Sequence, residues 1–350
     1  MSARGVLWGS CALVVLACLA LLVLIVTTKL TRTRRDRRTS ALVAPHRTDL
    51  LAVASGEDQD GVHRDALIAV DGPARDALDD AVVDLLAKVR GVPAEELASV
   101  LLAHGAVDRA PHDLKHHNTI RRARAAHILG LCHVGAALPL IVDALRDPAP
   151  EVRVAATRAL GRLGEPSAAP PLLAAAGAER AVPAGPAADA LEQMGVGIAD
   201  ALRDGLLATS PTTRTVSAYL SGEGSFTRSI DLLRLSLTTD EDPLVRATSA
   251  VALGRMGRAG DVAVLLEGTG EQQPSGLRRA CAAALGDLGD PSAVDGLREL
   301  LADPDPRLAE IAATSLLRLG PAGRAALDGA PTNASVESAR AVARLQGSPS

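Results

Sequence analysis

Apolar and polar positions along residues 118–335 follow a pattern that returns about every 31 residues. In its strongest form the pattern ends in Leu-Gly-x-(Leu/Met)-Gly, at Leu160–Gly164, Leu253–Gly257 and Leu285–Gly289. Weaker copies are Leu129–His133, Leu191–Gly195, Leu220–Gly224 and Leu316–Gly320. Successive copies lie 31, 31, 29, 33, 32 and 31 residues apart. A repeat of this length predicts a stack of similar supersecondary units rather than one closed core.

One repeat shows which elements the pattern predicts. Between Ser275 and Leu288 the apolar residues keep helical spacing and form one stripe. Gly289 follows, where a helix end favours the left-handed conformation. Asp290 and Pro291 then supply an N-cap and a first-turn proline for a second helix, which runs to Leu301. Neither helix can bury its stripe alone, so several stacked pairs are needed to form a continuous core.

The sequence therefore predicts an all-α fold, an α-solenoid of about seven helix pairs over residues 118–335. Residues 73–117 predict a divergent N-terminal helical cap, with helices near 74–89 and 94–103. Residues 336–350 predict a C-terminal capping helix and tail. Residues 29–72 combine a basic segment with Gly- and Asp-rich turn signals and predict a linker.

An uncharged and strongly apolar segment covers residues 6–28. Its 23 residues would form roughly 34 Å of helix, enough to cross a bilayer core. The segment exceeds the apolar region of a secretion signal and leads directly into basic residues, so it predicts one uncleaved N-terminal transmembrane helix. Cleavage of this segment would instead produce a secreted binding module.

A basic cluster follows the apolar segment and consists of Lys29, Arg32, Arg34, Arg35, Arg37 and Arg38. Positive charge on this side predicts that the C-terminal domain faces the cytoplasm of a bacterial inner (plasma) membrane, which the chain would cross once. The same cluster would lie against anionic lipid head groups.

Composition argues against a nucleic-acid partner and against disulfide bonds. The chain has 350 residues, a formal net charge of −4, and a single residue each of Trp, Tyr and Phe. The most basic part of the repeat region, residues 115–124, contains no aromatic residue on which a base could stack. We therefore expect no nucleic-acid partner. Four cysteines, two of them in the apolar segment, do not form a disulfide framework.

A histidine-rich stretch is the one candidate for metal chemistry, and it comprises His112, His116, His117, His127, Cys132 and His133. Imidazole and thiolate groups suit zinc, but no Cys-x-x-Cys or His-Glu-x-x-His spacing is present. The acidic pairs Asp79-Asp80 and Glu95-Glu96 are interpreted as exposed helix residues. The sequence therefore predicts no catalytic residue, no metal site and no cofactor.

Three stretches carry a family resemblance: Glu151–Gly161, Asp242–Arg246 continued by Ala250–Gly254, and Leu277–Pro291. They resemble the HEAT repeat family, in particular the short bacterial HEAT-like repeats first noticed in bilin lyases. The resemblance covers about residues 118–335. Ala184 and Ala309 depart from it, because they stand where the family has Arg.

The resemblance implies a structural arginine ladder. It implies that Arg122, Arg153, Arg246 and Arg278 point towards acidic groups of adjacent turns, such as Asp147, Asp242 or Asp303. It also implies a scaffold or adapter, because the family mostly binds partners on an extended surface.

We therefore expect a membrane-tethered, non-catalytic scaffold for protein–protein interactions. Its partner is unknown, with a membrane enzyme of envelope synthesis as the candidate. One alternative is a bilin-lyase-like or metal-dependent enzyme built on HEAT-like repeats. The family's iron-binding hydroxylases carry paired His-Glu motifs, and no His-Glu dipeptide occurs in this chain.

Overall fold

A computed structural model describes residues 21–22, 29, 38–330 and 334–347. The regular elements within these ranges are helices, so the fold is all-α as predicted. The chain divides into two compact units, Met1–Ala110 and Pro111–Ser350.

The predicted membrane span requires a correction. The longest helices with printed bounds in the described part contain 14 residues, and about 20 are needed to cross a bilayer. In those ranges there is accordingly no helix long and apolar enough to span a membrane. Residues 6–28 lie outside the described part of the chain except for Leu21 and Leu22. The finding contradicts the predicted location as a single-pass inner-membrane protein.

Unit 1 contains helices where the sequence predicts a linker. A 3-10 turn (Ala44–His46) leads into α1 (Arg47–Ser55), and α2 (Val62–Ile68) follows. Gly56 ends α1 in the left-handed conformation, with φ 77°. The Asp58 carboxylate then accepts the backbone N–H groups of His63 and Arg64 and fixes the start of α2.

The remaining helices of unit 1 lie near the two predicted for the cap. They are α3 (Pro73–Leu86) and α4 (Val92–Ala103). The helix α5 (Ala106–Asp113) begins in unit 1, where the sequence predicts an irregular segment, and contains the boundary after Ala110. Leu78, Val82, Leu97, Val100 and Leu101 are fully buried and form the core of these helices.

Unit 2 is a stack of seven helix pairs followed by one more helix. The first helices of the pairs are α6 (Thr119–Leu131), α8 (Pro150–Leu163), α10 (Ala184–Gln193), α12 (Pro211–Glu223), α14 (Pro243–Met256), α16 (Ser275–Leu288) and α18 (Pro306–Arg318). The second helices are α7 (Leu138–Ala144), α9 (Ala169–Ala176), α11 (Ala199–Gly205), α13 (Ile230–Thr239), α15 (Val262–Gly268), α17 (Val294–Glu299) and α19 (Gly320–Asp328). The final helix is α20 (Ala334–Gly347). We call the first helices the A layer and the second helices the B layer.

Each A-layer helix is followed by a residue with positive φ. These residues are His133, Gly164, Gly195, Ser225, Gly257, Gly289 and Gly320. In the fourth pair the residue is Ser225, with φ 50°, one position later than the predicted Gly224. The weak motif in this pair is therefore Ser221–Ser225, which makes the repeat lengths more uniform, between 30 and 32 residues.

Glycine brings neighbouring A-layer helices unusually close together. A Cβ atom on Gly161 would lie 2.8 Å from the Ala190 Cα, and one on Gly254 would lie 2.7 Å from the Ala284 Cα. The equivalent glycines of the first, fourth and sixth pairs, Gly130, Gly222 and Gly286, make the same contact. The core between these helices is built mainly from Leu, Ala and Val.

The helix α20 closes the last pair. Val336 is fully buried, and the Arg340 guanidinium donates to the carbonyl oxygens of Leu327, Asp328 and Ala330. These contacts satisfy carbonyls at the C-terminal end of α19 that have no partner within that helix.

Candidate functional site

An arginine four residues after a helix N-cap makes the most regular polar contact of unit 2. Arg122 follows Asn118, the N-cap of α6, and donates to both carboxylate oxygens of Asp147 at 2.7 and 2.9 Å. Its Nη1 atom donates to the carbonyl oxygens of His116 and His117. One side chain thereby joins the loop before its own helix pair to the loop before the next pair.

Arg278 and Arg214 repeat this arrangement in later pairs. The Nη2 atom of Arg278 lies 2.6 Å from Oδ2 of Asp303, and its Nε donates to the carbonyl of Thr269. Arg214 binds both carboxylate oxygens of Asp240 at 2.7 and 2.8 Å. Arg214 is not among the predicted arginines, because the predicted motif of this pair lies one residue before the observed one. The N-cap of α12, four residues before Arg214, is the signal that identifies it.

Arg153 and Arg246 lie at the same position but have no carboxylate partner there. Arg153 is 8% exposed and donates to the carbonyls of Asp147 and Pro148, while its buried Nε has no hydrogen-bond partner among the described residues. Arg246 donates to the carbonyl of Leu237 and to the side chain of Gln273. Asp242, expected to be an ion-pair partner, instead accepts backbone N–H groups as the N-cap of α14.

The arginine contacts favour the ionised form of the aspartate carboxyls. Burial tends to raise the pKa of Asp147 and Asp240, yet hydrogen bonds from Arg122, Arg214 and nearby backbone N–H groups hold the pKa of both carboxyls below its ordinary value. Both carboxylates therefore remain ionised at neutral pH. A structural role for the four predicted arginines, and for Arg214 with them, remains our proposal.

The histidine-rich stretch does not converge on one point. The rings of His116 and His117 lie 4.1 Å apart, His127 Nδ1 lies 3.3 Å from Arg162 Nη1, and His133 occupies the left-handed end of α6. Burial raises the pKa of the Cys132 thiol to about 11, which disfavours the thiolate that a metal requires. Within the described ranges, three or more His, Cys, Asp and Glu side chains nowhere group as metal ligands.

The predicted basic cluster is mostly outside the described residues. Lys29 and Arg38 are described and exposed, and Arg32, Arg34, Arg35 and Arg37 lie outside the described part of the chain.

A buried contact between a histidine and a carboxylate in unit 1 is not predicted from the sequence. Asp79, interpreted there as exposed, is 1% exposed, and its Oδ1 lies 2.5 Å from Nδ1 of His104. The other ring nitrogen of His104 lies 3.2 Å from the carbonyl oxygen of Leu67. The pair joins α3 to α4 and consumes the hydrogen-bonding capacity of the ring, so we interpret it as structural.

A groove of about 670 Å³ is an open concave feature of unit 2. It lies between the end of α11, the helix α13 and the loops that lead into α12 and α14. Its apolar wall consists of Leu206, Leu207, Leu232 and Leu235. Leu207 and Leu235 are 65% and 51% exposed, so the wall presents apolar surface to solvent.

The rim of this groove is acidic. Asp240, Glu241 and Asp242 line it together with Arg214, whose charge Asp240 neutralises. Asp242 uses its carboxylate to cap α14, and the exposed Glu241 makes no ion pair with the described residues. The groove thus combines exposed leucines with two carboxylates that have no basic partner of their own. We call it the acidic groove.

Comparison with protein families identifies the repeats. The family model described as HEAT repeats matches residues 113–192 and 199–286. The model described as PBS lyase HEAT-like repeat matches residues 277–303. The curated proteins contain no match to the chain.

Solved structures share the architecture at low sequence identity. A mutant of Kap121p matches 83% of this chain and 36% of its own, with 12% identity and a TM-score of 0.56. The karyopherin Kap121p bound to the SUMO protease Ulp1p matches 75% of this chain and 34% of its own, with 13% identity and a TM-score of 0.54. The complex of CpcE and CpcF of phycocyanin lyase from Nostoc matches 68% of this chain and 94% of its own, with 21% identity and a TM-score of 0.34. The chain therefore spans about a third of the karyopherin length, and the two karyopherin likenesses show the fold alone.

Proposed function

Because the chain belongs to the HEAT repeat family, we propose that it is a non-catalytic scaffold that binds a protein partner in the acidic groove. Stacked helix pairs offer an extended surface on which each pair can add contacts to the same partner. The karyopherin Kap121p, which shares this architecture, is bound to the SUMO protease Ulp1p in its solved complex.

The main observation behind the proposal is that leucines of the acidic groove are exposed. Leu207 exposes about two thirds of its surface to water and Leu235 about half, although the nearby Leu206 and Leu233 are buried. A partner that covered them would remove apolar surface from water, and burying a leucine contributes about 1.5–3 kcal/mol. A concave apolar wall is also where apolar groups of a ligand fit best.

The rim indicates the chemistry of the partner. Glu241 and Asp242 would place two negative charges beside any group that enters the groove. A segment with apolar side chains next to Lys or Arg satisfies both the leucines and the carboxylates, and an amphipathic helix presents such residues on one face. The proposed partner is therefore a protein with an apolar and basic segment.

Photo-crosslinking in cells of the source organism tests the scaffold. A photoreactive phenylalanine analogue replaces Leu235 in the groove or, as a control, Leu244, which is 63% exposed and lies outside the groove lining. We expect one protein to be crosslinked from position 235 and not from position 244. Adducts that are absent at 235, or identical at both positions, would contradict the proposal.

A binding assay tests the partner chemistry separately. The probe is a short fluorescent amphipathic peptide of leucine and lysine, measured by anisotropy against the full chain. Leu235→Glu is expected to weaken binding about tenfold or more, because it removes a leucine side chain that the bound peptide would bury. Glu241→Lys should weaken it about two- to fivefold, whereas Glu271→Lys changes the net charge equally at an exposed position outside the groove lining. Equal effects of the two lysine variants would show attraction by net charge alone.

A further inference from the structure

The junction between the third and fourth helix pairs differs from the other junctions of the A layer. Elsewhere the glycine three residues before the positive-φ residue faces a small residue of the next helix, as Gly161 faces Ala190 and Gly254 faces Ala284. In α10 this position is Glu192, and the equivalent facing position in α12 is Leu220. Two large side chains therefore stand where the other junctions bring helix backbones together.

The helix α10 is also shorter than its counterparts. It contains 10 residues against 13 or 14 in the other A-layer helices. Pro183 lies immediately before it, and the residues before Pro183 do not form the first helical turn seen in the other pairs. Ala184 occupies the position of the arginine, so the third pair lacks the side chain that elsewhere projects from this position of the A-layer helix towards neighbouring loops.

The helix α12 presents polar residues at this junction. Ser221 occupies the position that Leu160, Leu253 and Leu285 occupy in other pairs, and it is fully buried. The hydroxyls of Ser217 and Ser221 are buried without a hydrogen-bond partner among the described residues. Replacing a core leucine by serine removes apolar contact, and an unpaired buried hydroxyl costs further stability.

Helices of the B layer remain in contact with the fourth pair across the same junction. The Thr213 hydroxyl in α12 donates to the carbonyl of Leu173 in α9 at 3.1 Å. Arg203 in α11 donates to the carbonyl of Arg228 at 2.6 Å. A Cβ atom on Gly205 would lie 2.1 Å from the Ser217 Oγ, so α11 and α12 are in close contact.

We propose that the junction between α10 and α12 is a hinge of unit 2. Helix pairs one to three form one body and pairs four to seven form another, and the A layer opens there while the B layer acts as the pivot. The other junctions resist this motion because their backbones interlock through glycine. The hinge goes beyond the proposed scaffold function and does not depend on the identity of the partner.

Distances between spin labels test the hinge in the full chain. One pair replaces Arg158 and Tyr219 on the helices that flank α10, and the control pair replaces Val251 and Thr314 on the helices that flank α16. All four residues lie nine positions after the N-caps of their helices, so the two pairs are matched in register. The native cysteines are replaced by serine or alanine, and thermal unfolding checks that every variant is folded.

We expect the Arg158–Tyr219 distance distribution to be about twofold broader than the Val251–Thr314 distribution, as two bodies joined by a hinge require. Equal widths would overturn the proposal. Hydrogen exchange separates a hinge from local melting, because a hinge leaves the amides of α10 protected. Amides of α10 that exchange at the rate of an unfolded peptide would also overturn it.

Discussion

Gly254 offers a direct test of how the A layer is packed. It lies in α14, and an alanine there would place its Cβ 2.7 Å from the Ala284 Cα, 2.8 Å from the Ala284 Cβ and 2.9 Å from the Ala284 oxygen. Two of these three atoms belong to the backbone, so no side-chain rotation can relieve the contact. Gly254→Ala must therefore push α14 and α16 apart.

The magnitude follows from two opposing terms. Replacing glycine by alanine inside a helix normally gains up to about 1 kcal/mol. Forcing an extra carbon into a filled interface costs about 1–3 kcal/mol. Gly276→Ala in α16 is the matched control, because a Cβ at Gly276 meets no atom within 4 Å. We expect the free energy of unfolding of the Gly254 variant to lie about 1–3 kcal/mol below that of the Gly276 variant.

Chemical denaturation followed by circular dichroism at the helix band measures this difference. The double variant Gly254→Ala/Ala284→Gly should recover only part of the loss, because the Ala284 Cα and oxygen remain in place. The reasoning is refuted if Gly254→Ala is as stable as Gly276→Ala. It is also refuted if the double variant recovers the loss completely, since the side chain alone would then be the obstacle.

Three further predictions concern individual residues. Ser225→Gly should stabilise the chain by about 1 kcal/mol, because Ser225 adopts a φ of 50°, and an unchanged denaturation midpoint would contradict this. Arg214→Met should lower the free energy of unfolding by about 3 kcal/mol, because it leaves Asp240 buried without its ion-pair partner. Arg153→Met removes no partner of a carboxylate, so it should lower the free energy of unfolding by less in the same denaturation assay. Burial raises the pKa of Cys281 from 9.0 to about 12, so the unfolded chain releases this proton first and stability should fall as the pH rises above 9. Cys281→Ala should flatten that fall in melting temperature between pH 9 and 11, and an identical slope would refute the assignment.

The helix pairs of unit 2 could be predicted because each signal is local. Spacing of apolar residues and a glycine after the last turn identify α16, which spans Ser275–Leu288 as predicted. The left-handed conformation of Gly289 is confirmed, with φ 72°. The same local signals are weaker in the fourth pair, where Ser225 replaces the final glycine, and there the predicted motif was displaced by one residue.

Contacts between distant residues could not be read in the same way. Asp79 lies in a predicted helix, but its burial depends on a contact with His104, which is 25 residues away in the sequence. This contact forms only when α4 is packed in place. The acidic groove likewise forms from two loops and two helices of successive pairs. A single sequence specifies which residues are apolar or acidic but not which of them meet across a junction.

The weakest junction also determines how a stack of repeats behaves as a whole. Each helix pair contacts mainly its neighbours, so stability is close to a sum of pair and junction contributions. Glu192 and Leu220 replace the glycine approach at a single junction, while the glycine approaches persist on either side of it. Motion should therefore concentrate between α10 and α12. The acidic groove, which begins at Leu206 immediately beyond α11, would then be carried mainly by the body formed from pairs four to seven.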